Sequence, residues 1–199
     1  MARRLRLFIA VDVPGETVVL ARRLIERLRK TGIEARWADP ARLHLTLWFL
    51  GNVAAEEMPA ICRAMDRAGA ATLPIDLEIV GAGAFPDAAN PRTLWLGVRG
   101  GAEGLVALHE ALAGELNPLG YPAEDRRYRP HITLGRVRHG DPEATQRLAA
   151  ELAALAELPV GAAGVDSFTL YASLPGRDGP QYEVIHASDL TCKATRTHA

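Results

Sequence analysis

A hexapeptide of one form occurs twice in the chain, as Arg42-Leu43-His44-Leu45-Thr46-Leu47 and as Arg129-Pro130-His131-Ile132-Thr133-Leu134. Both copies read Arg-x-His-aliphatic-Thr-Leu. Each sits in an apolar run of strand character, Leu45-Thr46-Leu47-Trp48-Phe49-Leu50 in the first case and Ile132-Thr133-Leu134-Gly135-Arg136-Val137 in the second. Side chains alternate across a strand, so His44 shares a face with Thr46, and His131 with Thr133, while the aliphatic between them points away. At the usual strand rise the His and Thr Cα atoms lie roughly 6.5–7 Å apart. An imidazole and a hydroxyl then stand side by side on an apolar surface, twice, and the two pairs are read as one active site.

Two histidines facing each other across a cleft suit general acid–base chemistry near neutral pH. With an ordinary pKa near 6.5, one can accept a proton while the other donates one. Two threonine hydroxyls and a nearby guanidinium can hold an anion between them, and phosphate oxygens accept from Thr O–H, His N–H and Arg together. In-line displacement at phosphorus needs a base on the attacking oxygen and an acid on the leaving oxygen, on opposite sides. Two symmetric elements meet that need without a metal. Among six histidines, chance supplies roughly a third of one His-x-Thr. Two copies sharing Arg, aliphatic and Leu at fixed offsets are a different matter. The competing readings are a strand histidine with Thr chosen for β propensity, and a zinc site. No carboxylate or third histidine stands at ligand spacing to either motif.

The chain has 199 residues, a hydrophobic fraction of 48% and a formal net charge of −1. That length can bury a sizeable core. The charge balance argues against a long nucleic-acid track, which normally shows a basic excess, but leaves room for one or two phosphates. No run of about 18 apolar residues is present, so no membrane span is expected. The basic-then-apolar start stops at Asp12 and Pro14, too early for a signal peptide, and a cytoplasmic protein is expected. Cys62 and Cys192 stand alone, without a C-x-x-C spacing, which speaks against a disulfide scaffold or thiolate zinc site.

The elements that must position the motifs follow from periodicity. Residues 5–13 read as a strand ending at Pro14-Gly15. A helix is expected from Glu16 to about Gly32, with Val19, Leu20, Leu24 and Leu28 on its apolar side. Glu34 to Ala38 is a short strand, and Asp39-Pro40 turns into the first motif strand, which ends at Gly51-Asn52. Helices are expected over 54–70, over 102–117 and from Pro142 to about Leu158. Further strands are expected over 73–80, 93–98, 167–174 and 182–185, with a frayed end from about Cys192. The mixture suggests two similar α+β lobes, each lending one His-x-Thr strand to a shared cleft.

The paired motif resembles that of the 2H phosphoesterases, and within them the RNA 2′,3′-cyclic phosphodiesterases, also called 2′-5′ RNA ligase-like proteins. The resemblance lies in Leu43 to Gly51 and Tyr128 to Arg136. It is supported by the opening strand Arg4 to Asp12 and by Leu170-Tyr171-Ala172-Ser173 with Gly179-Pro180-Gln181-Tyr182. It implies an α+β, bilobal, pseudo-two-fold fold with antiparallel sheets lining a central cleft, so that residues 1–199 form a single bilobal domain with one motif per lobe (44–46 and 131–133). The implied reaction is metal- and cofactor-free hydrolysis of an RNA 2′,3′-cyclic phosphate end to a 2′-phosphomonoester. His44 is then the general acid, His131 the general base, and Thr46, Thr133 and Arg136 bind the phosphoryl group. RNA ends or small cyclic nucleotides are the implied partners of a monomeric protein. The alternatives are 2′-5′ ligation, a small cyclic-nucleotide phosphodiesterase, or a non-catalytic RNA-end-binding module. Arg136, five residues past His131, falls on the wrong face of an ideal strand and reaches phosphate only if the strand bends near Gly135. Phe8 and Trp48 are candidates to stack on a base, or core residues. Arg126, Arg127 and Arg129 steer RNA or form a solvated loop. His109, His139, His186 and His198 are read as bystanders.

Overall fold

The computed structural model describes residues 4–124, 127–176 and 179–192. Among these, four α-helices alternate with groups of strands: β1 (Arg4–Asp12), α1 (Gly15–Arg29), β2 (Glu34–Trp37), β3 (His44–Ala54), α2 (Met58–Ala70), β4 (Ile75–Phe85), β5 (Thr93–Val98), α3 (Ala102–Leu116), β6 (His131–His139), α4 (Pro142–Ala154), β7 (Pro159–Val165), β8 (Ser167–Leu174) and β9 (Gln181–Asp189). All strands join one antiparallel sheet in the order β7-β4-β5-β6-β3-β1-β8-β9, with β2 added on β6.

This order is two four-strand halves meeting at the motif strands β6 and β3. The succession β1-α1-β3-α2 is echoed by β5-α3-β6-α4, which gives the fold its two lobes and pseudo-two-fold axis. The buried aliphatics of the sheet and helices merge in one core, Leu7, Ile9, Leu45, Ile61, Leu96, Leu105, Ile132 and Leu148 among them. Asp39 accepts from the Ala41 N–H at 3.0 Å and so closes the turn before β3. Asp141 accepts from Ala144 at 2.7 Å and caps α4, in each case satisfying an N–H left open at a helical end.

Three expectations are corrected. The buried face of α1 is Thr17, Ala21, Leu24, Ile25 and Leu28, while Val19 and Leu20 are exposed. The helix packs on β7 so closely that a Cβ on Gly161 would come within 2.1 Å of the Thr17 hydroxyl. The small Thr17 and Gly161 therefore set the contact at the start of the helix, while Leu24, Ile25 and Leu28 bury the rest of the face. The fourth helix stops at Ala154, and Pro159–Val165 is a strand that the Gly- and Ala-rich sequence did not reveal. The first motif strand does not end at Gly51-Asn52 but runs on to Ala54, with Gly51 at φ +70. Residues 193–199 lie outside the described residues.

Each motif strand is bulged at the same place. Against β1, Trp48 faces Ile9 and Thr46 faces Ala10, leaving Leu47 without an opposite. Against β5, Gly135 faces Leu94 and Thr133 faces Trp95, leaving Leu134 unopposed. One extra residue reverses the alternation beyond it. Leu47 and Trp48 are both buried, as are Leu134 and Gly135, while Phe49 and Arg136 emerge on the side of the histidines and threonines.

Candidate active site

The motif strands are joined at Leu45 and Ile132, which face one another across β3 and β6 and are both sunk in the core. In that antiparallel register His44 lies beside Thr133 and Thr46 beside His131, all four on the opposite face. All four are half-buried. Two motifs far apart in sequence thus meet in one cleft.

Both imidazoles are fixed in the same way. His44 Nδ1 lies 2.9 Å from the Arg42 carbonyl, and His131 Nδ1 lies 2.8 Å from the Arg129 carbonyl. A carbonyl only accepts, so Nδ1 carries the proton in each ring. Nε2 is left for the cleft, as a lone-pair acceptor in the neutral ring and a donor in the charged one. Aromatic walls hold the rings in place. Phe8 lies 4.9 Å and Tyr182 5.3 Å from His44, and Phe85 packs edge-on at 5.1 Å against His131.

The electrostatics of the two histidines differ. Burial lowers both pKa values, and the carbonyl bonds partly offset this by favouring the charged ring. Asp12 raises His44 further, whereas the Arg136 guanidinium lowers His131. Arg136 acts on His131 because the Leu134 bulge turns it to that face, which resolves the parity problem its spacing posed. Among the described residues no three His, Cys, Asp or Glu side chains converge to hold a metal ion.

A match to the 2′-5′ RNA ligase superfamily model spans residues 17–177. The chain belongs to the 2′-5′ RNA ligase superfamily. A Thermotoga maritima protein named RNA 2′,3′-cyclic phosphodiesterase is 34% identical over 92% of this chain and 94% of its own length. A Thermus thermophilus protein of the same name is 33% identical over 98% of this chain and 95% of its own. Among solved structures, TT0787 of Thermus thermophilus superposes with a TM-score of 0.77 at 27% identity, covering 96% of this chain and all of that one, 100%. E. coli LigT in complex with 3′-AMP gives a TM-score of 0.72 at 28% identity, over 95% of this chain and 99% of that one. The superfamily fold is the α+β, pseudo-two-fold architecture described above.

The remaining candidates sort by burial. Phe8 and Trp48 are both buried, Phe8 beneath His44 and Trp48 against His109 at 4.8 Å, so neither offers a free face to a base. Phe49 does, being 51% exposed and 6.5 Å from Phe8. Its exposure is not legible in the local pattern, since the bulge against β1 decides it. His109 is no bystander in packing, for it stacks on Tyr128 at 4.3 Å. His186 does have a partner, Asp66 at 2.7 Å, and ties β9 to α2. His139 is exposed, as is Arg127. Arg129 lies over the Phe85 ring at 5.9 Å. Arg126 and His198 fall outside the described residues.

Proposed function

We propose that this protein is an RNA 2′,3′-cyclic phosphodiesterase that opens the cyclic end to a 2′-phosphomonoester and a free 3′-hydroxyl. The observation that carries the reading is the junction at Leu45 and Ile132, which sets two imidazoles with identically tethered Nδ1 atoms on one cleft face. Relatives alike over nearly the whole chain carry that enzyme's name, and E. coli LigT binds 3′-AMP, a ribonucleotide phosphorylated at the ribose edge.

In this reading the cyclic phosphate sits between the motifs, its non-bridging oxygens accepting from the Thr46 and Thr133 hydroxyls and from Arg136. Neutral His131 takes a proton from water through Nε2 as the water oxygen bonds to phosphorus. Charged His44 gives its Nε2 proton to O3′ as the P–O3′ bond breaks. His131 leaves the cycle charged and His44 neutral, and solvent restores both. Arg136 favours the neutral ring of His131, which suits the base, and as a fixed cation it opposes charge growing on phosphorus. Exposed Phe49 supplies a face on which the terminal base stacks. One motif per lobe of a single bilobal domain, no metal or cofactor, and a cytoplasmic monomer acting on RNA ends complete the proposal. No helix among the described residues is long and apolar enough to cross a membrane.

The test is product analysis on an oligonucleotide ending in a 2′,3′-cyclic phosphate, with chelator present. A 2′-monoester is expected. A 3′-monoester would reverse the roles of the histidines, and no turnover would leave only an RNA-end-binding module.

A further inference from the structure

The pseudo-two-fold axis is broken beside the imidazoles. Opposite His131 the neighbouring strand β5 carries Gly97, while opposite His44, in the equivalent register, β1 carries Asp12. Cross-strand partners project to the same side of a sheet. A carboxylate therefore stands on the side of His44 where the other histidine meets a residue with no side chain. Asp12, His44, Tyr171 and Tyr182 line one pocket of about 450 Å³. The Tyr171 hydroxyl on β8 donates to Asp12 Oδ1, which fixes a carboxylate that would otherwise rotate in solvent. Burial, and then the bond to Asp12, push the Tyr171 phenol up to about 12, so it stays a donor across the working range.

The groups around His44 can be named by element. Phe8 and Asp12 come from β1, Tyr171 from β8 and Tyr182 from β9. The turn before β3 brings Arg42, whose guanidinium is tied to Asp39 and to the Pro180 carbonyl. Thr133, His131 and then Arg136 follow on β6. Asp12 is the carboxylate in this set. It does not orient the ring directly, because Nδ1 is already spent on the Arg42 carbonyl. It acts through charge.

Building on the phosphodiesterase reading, we infer that Asp12, held by Tyr171, is a positioning residue that favours the imidazolium form of His44 over that of His131 and so makes the His44 side of the cleft the leaving-group side. A symmetric site would let either ring act as acid. The carboxylate beside one and the guanidinium beside the other decide the direction of displacement.

The test pairs an isosteric variant with a readout that does not need turnover. In Asp12→Asn, an NMR titration of the imidazole ring protons is expected to show His44 titrating at lower pH while His131 stays put. On the cyclic-phosphate oligonucleotide, the alkaline limb of the pH–rate profile should move down in pH, so that the variant loses roughly threefold to tenfold more rate on the alkaline side than on the acid side. Tyr171→Phe should give a smaller change of the same sign, and Asp12→Glu should restore the limb. A loss of rate equal at all pH values, or a titration in which both histidines or neither move, would overturn the role of Asp12. If the wild-type protein fails to open the cyclic end, the phosphodiesterase reading falls, while the titration still decides whether Asp12 holds the charge of His44.

Discussion

Phe49 on β3 and Arg136 on β6 occupy the same place in the two halves, each five residues after its motif histidine and each turned onto the cleft face by a bulged leucine. The two strands use one backbone device to present opposite chemistries, an aromatic face on the side of His44 and a cation on the side of His131. A hydrolase acting on an asymmetric substrate needs such a difference. The backbone symmetry sets two imidazoles on one face of the sheet, and the substitutions around it tell the two sides apart.

Replacing Arg136 with Ala is expected to lower kcat/KM on the order of ten- to hundredfold, because one charge-assisted contact to the phosphoryl oxygens is lost. The guanidinium also disfavours the charged ring of His131. Its removal raises that pKa, so the acid limb of the profile should move to higher pH. Phe49→Ala should raise KM roughly tenfold through lost stacking and leave that limb in place. Steady-state kinetics across the pH range separate the two.

His44→Ala and His131→Ala should each lower kcat on the order of 10²–10⁴ while substrate binding is largely kept. The double variant should lose far less than the product of the two, since each proton transfer depends on the other. Single-turnover rates and equilibrium binding of a 3′-AMP probe measure both quantities. Unchanged turnover in both single variants would remove the acid–base mechanism.

The pH dependence follows from burial. Both histidines are held below the ordinary value of 6.5. The base must be neutral, so activity falls as pH drops through the pKa of His131. The acid must be charged, so activity falls as pH rises through the pKa of His44. The maximum of kcat/KM is therefore expected below pH 6.5, and a maximum in the alkaline range would contradict the assignment. A profile with one limb alone would do the same.

Local periodicity carries part of this site, and long-range register carries the rest. The shared face of His44 with Thr46, and of His131 with Thr133, is legible because strand alternation is local and needs no partner. The leucines of α3 are legible because their 3.6-residue spacing coincides with burial at Leu105, Leu108, Leu112 and Leu116. The side to which Arg136 turns was not readable, because the bulge at Leu134 arises from its register with β5, a partner distant in sequence. Asp12 and Tyr171 were silent for the same reason, lying across strands from His44 and from each other. The strand β7 has no alternating apolar pattern to read, and Gly161 within it serves the close approach of α1.

Tyr128 supplies a test of how the two halves are held together. Its ring stacks on His109 with 6° between the planes, His109 packs in turn on Trp48, and its hydroxyl donates to the Thr46 carbonyl at 3.1 Å. The lead-in to the second motif is thus bonded to the backbone of the first. Burial drives this phenol well above its usual range, so it is a neutral donor at any working pH. Tyr128→Phe should cost about 1 kcal/mol, the worth of one hydrogen bond, and Tyr128→Ala about 3–5 kcal/mol once the ring is lost as well. Burial also holds the pKa of His109 down. The unfolded chain then takes up that proton first, so stability declines as pH falls through the ordinary histidine value. His109→Phe keeps the stack and removes the proton site, and denaturant midpoints measured on either side of that pH should show a weaker acid sensitivity than in the wild type. Equal acid sensitivity in the two proteins would place the titrating group elsewhere.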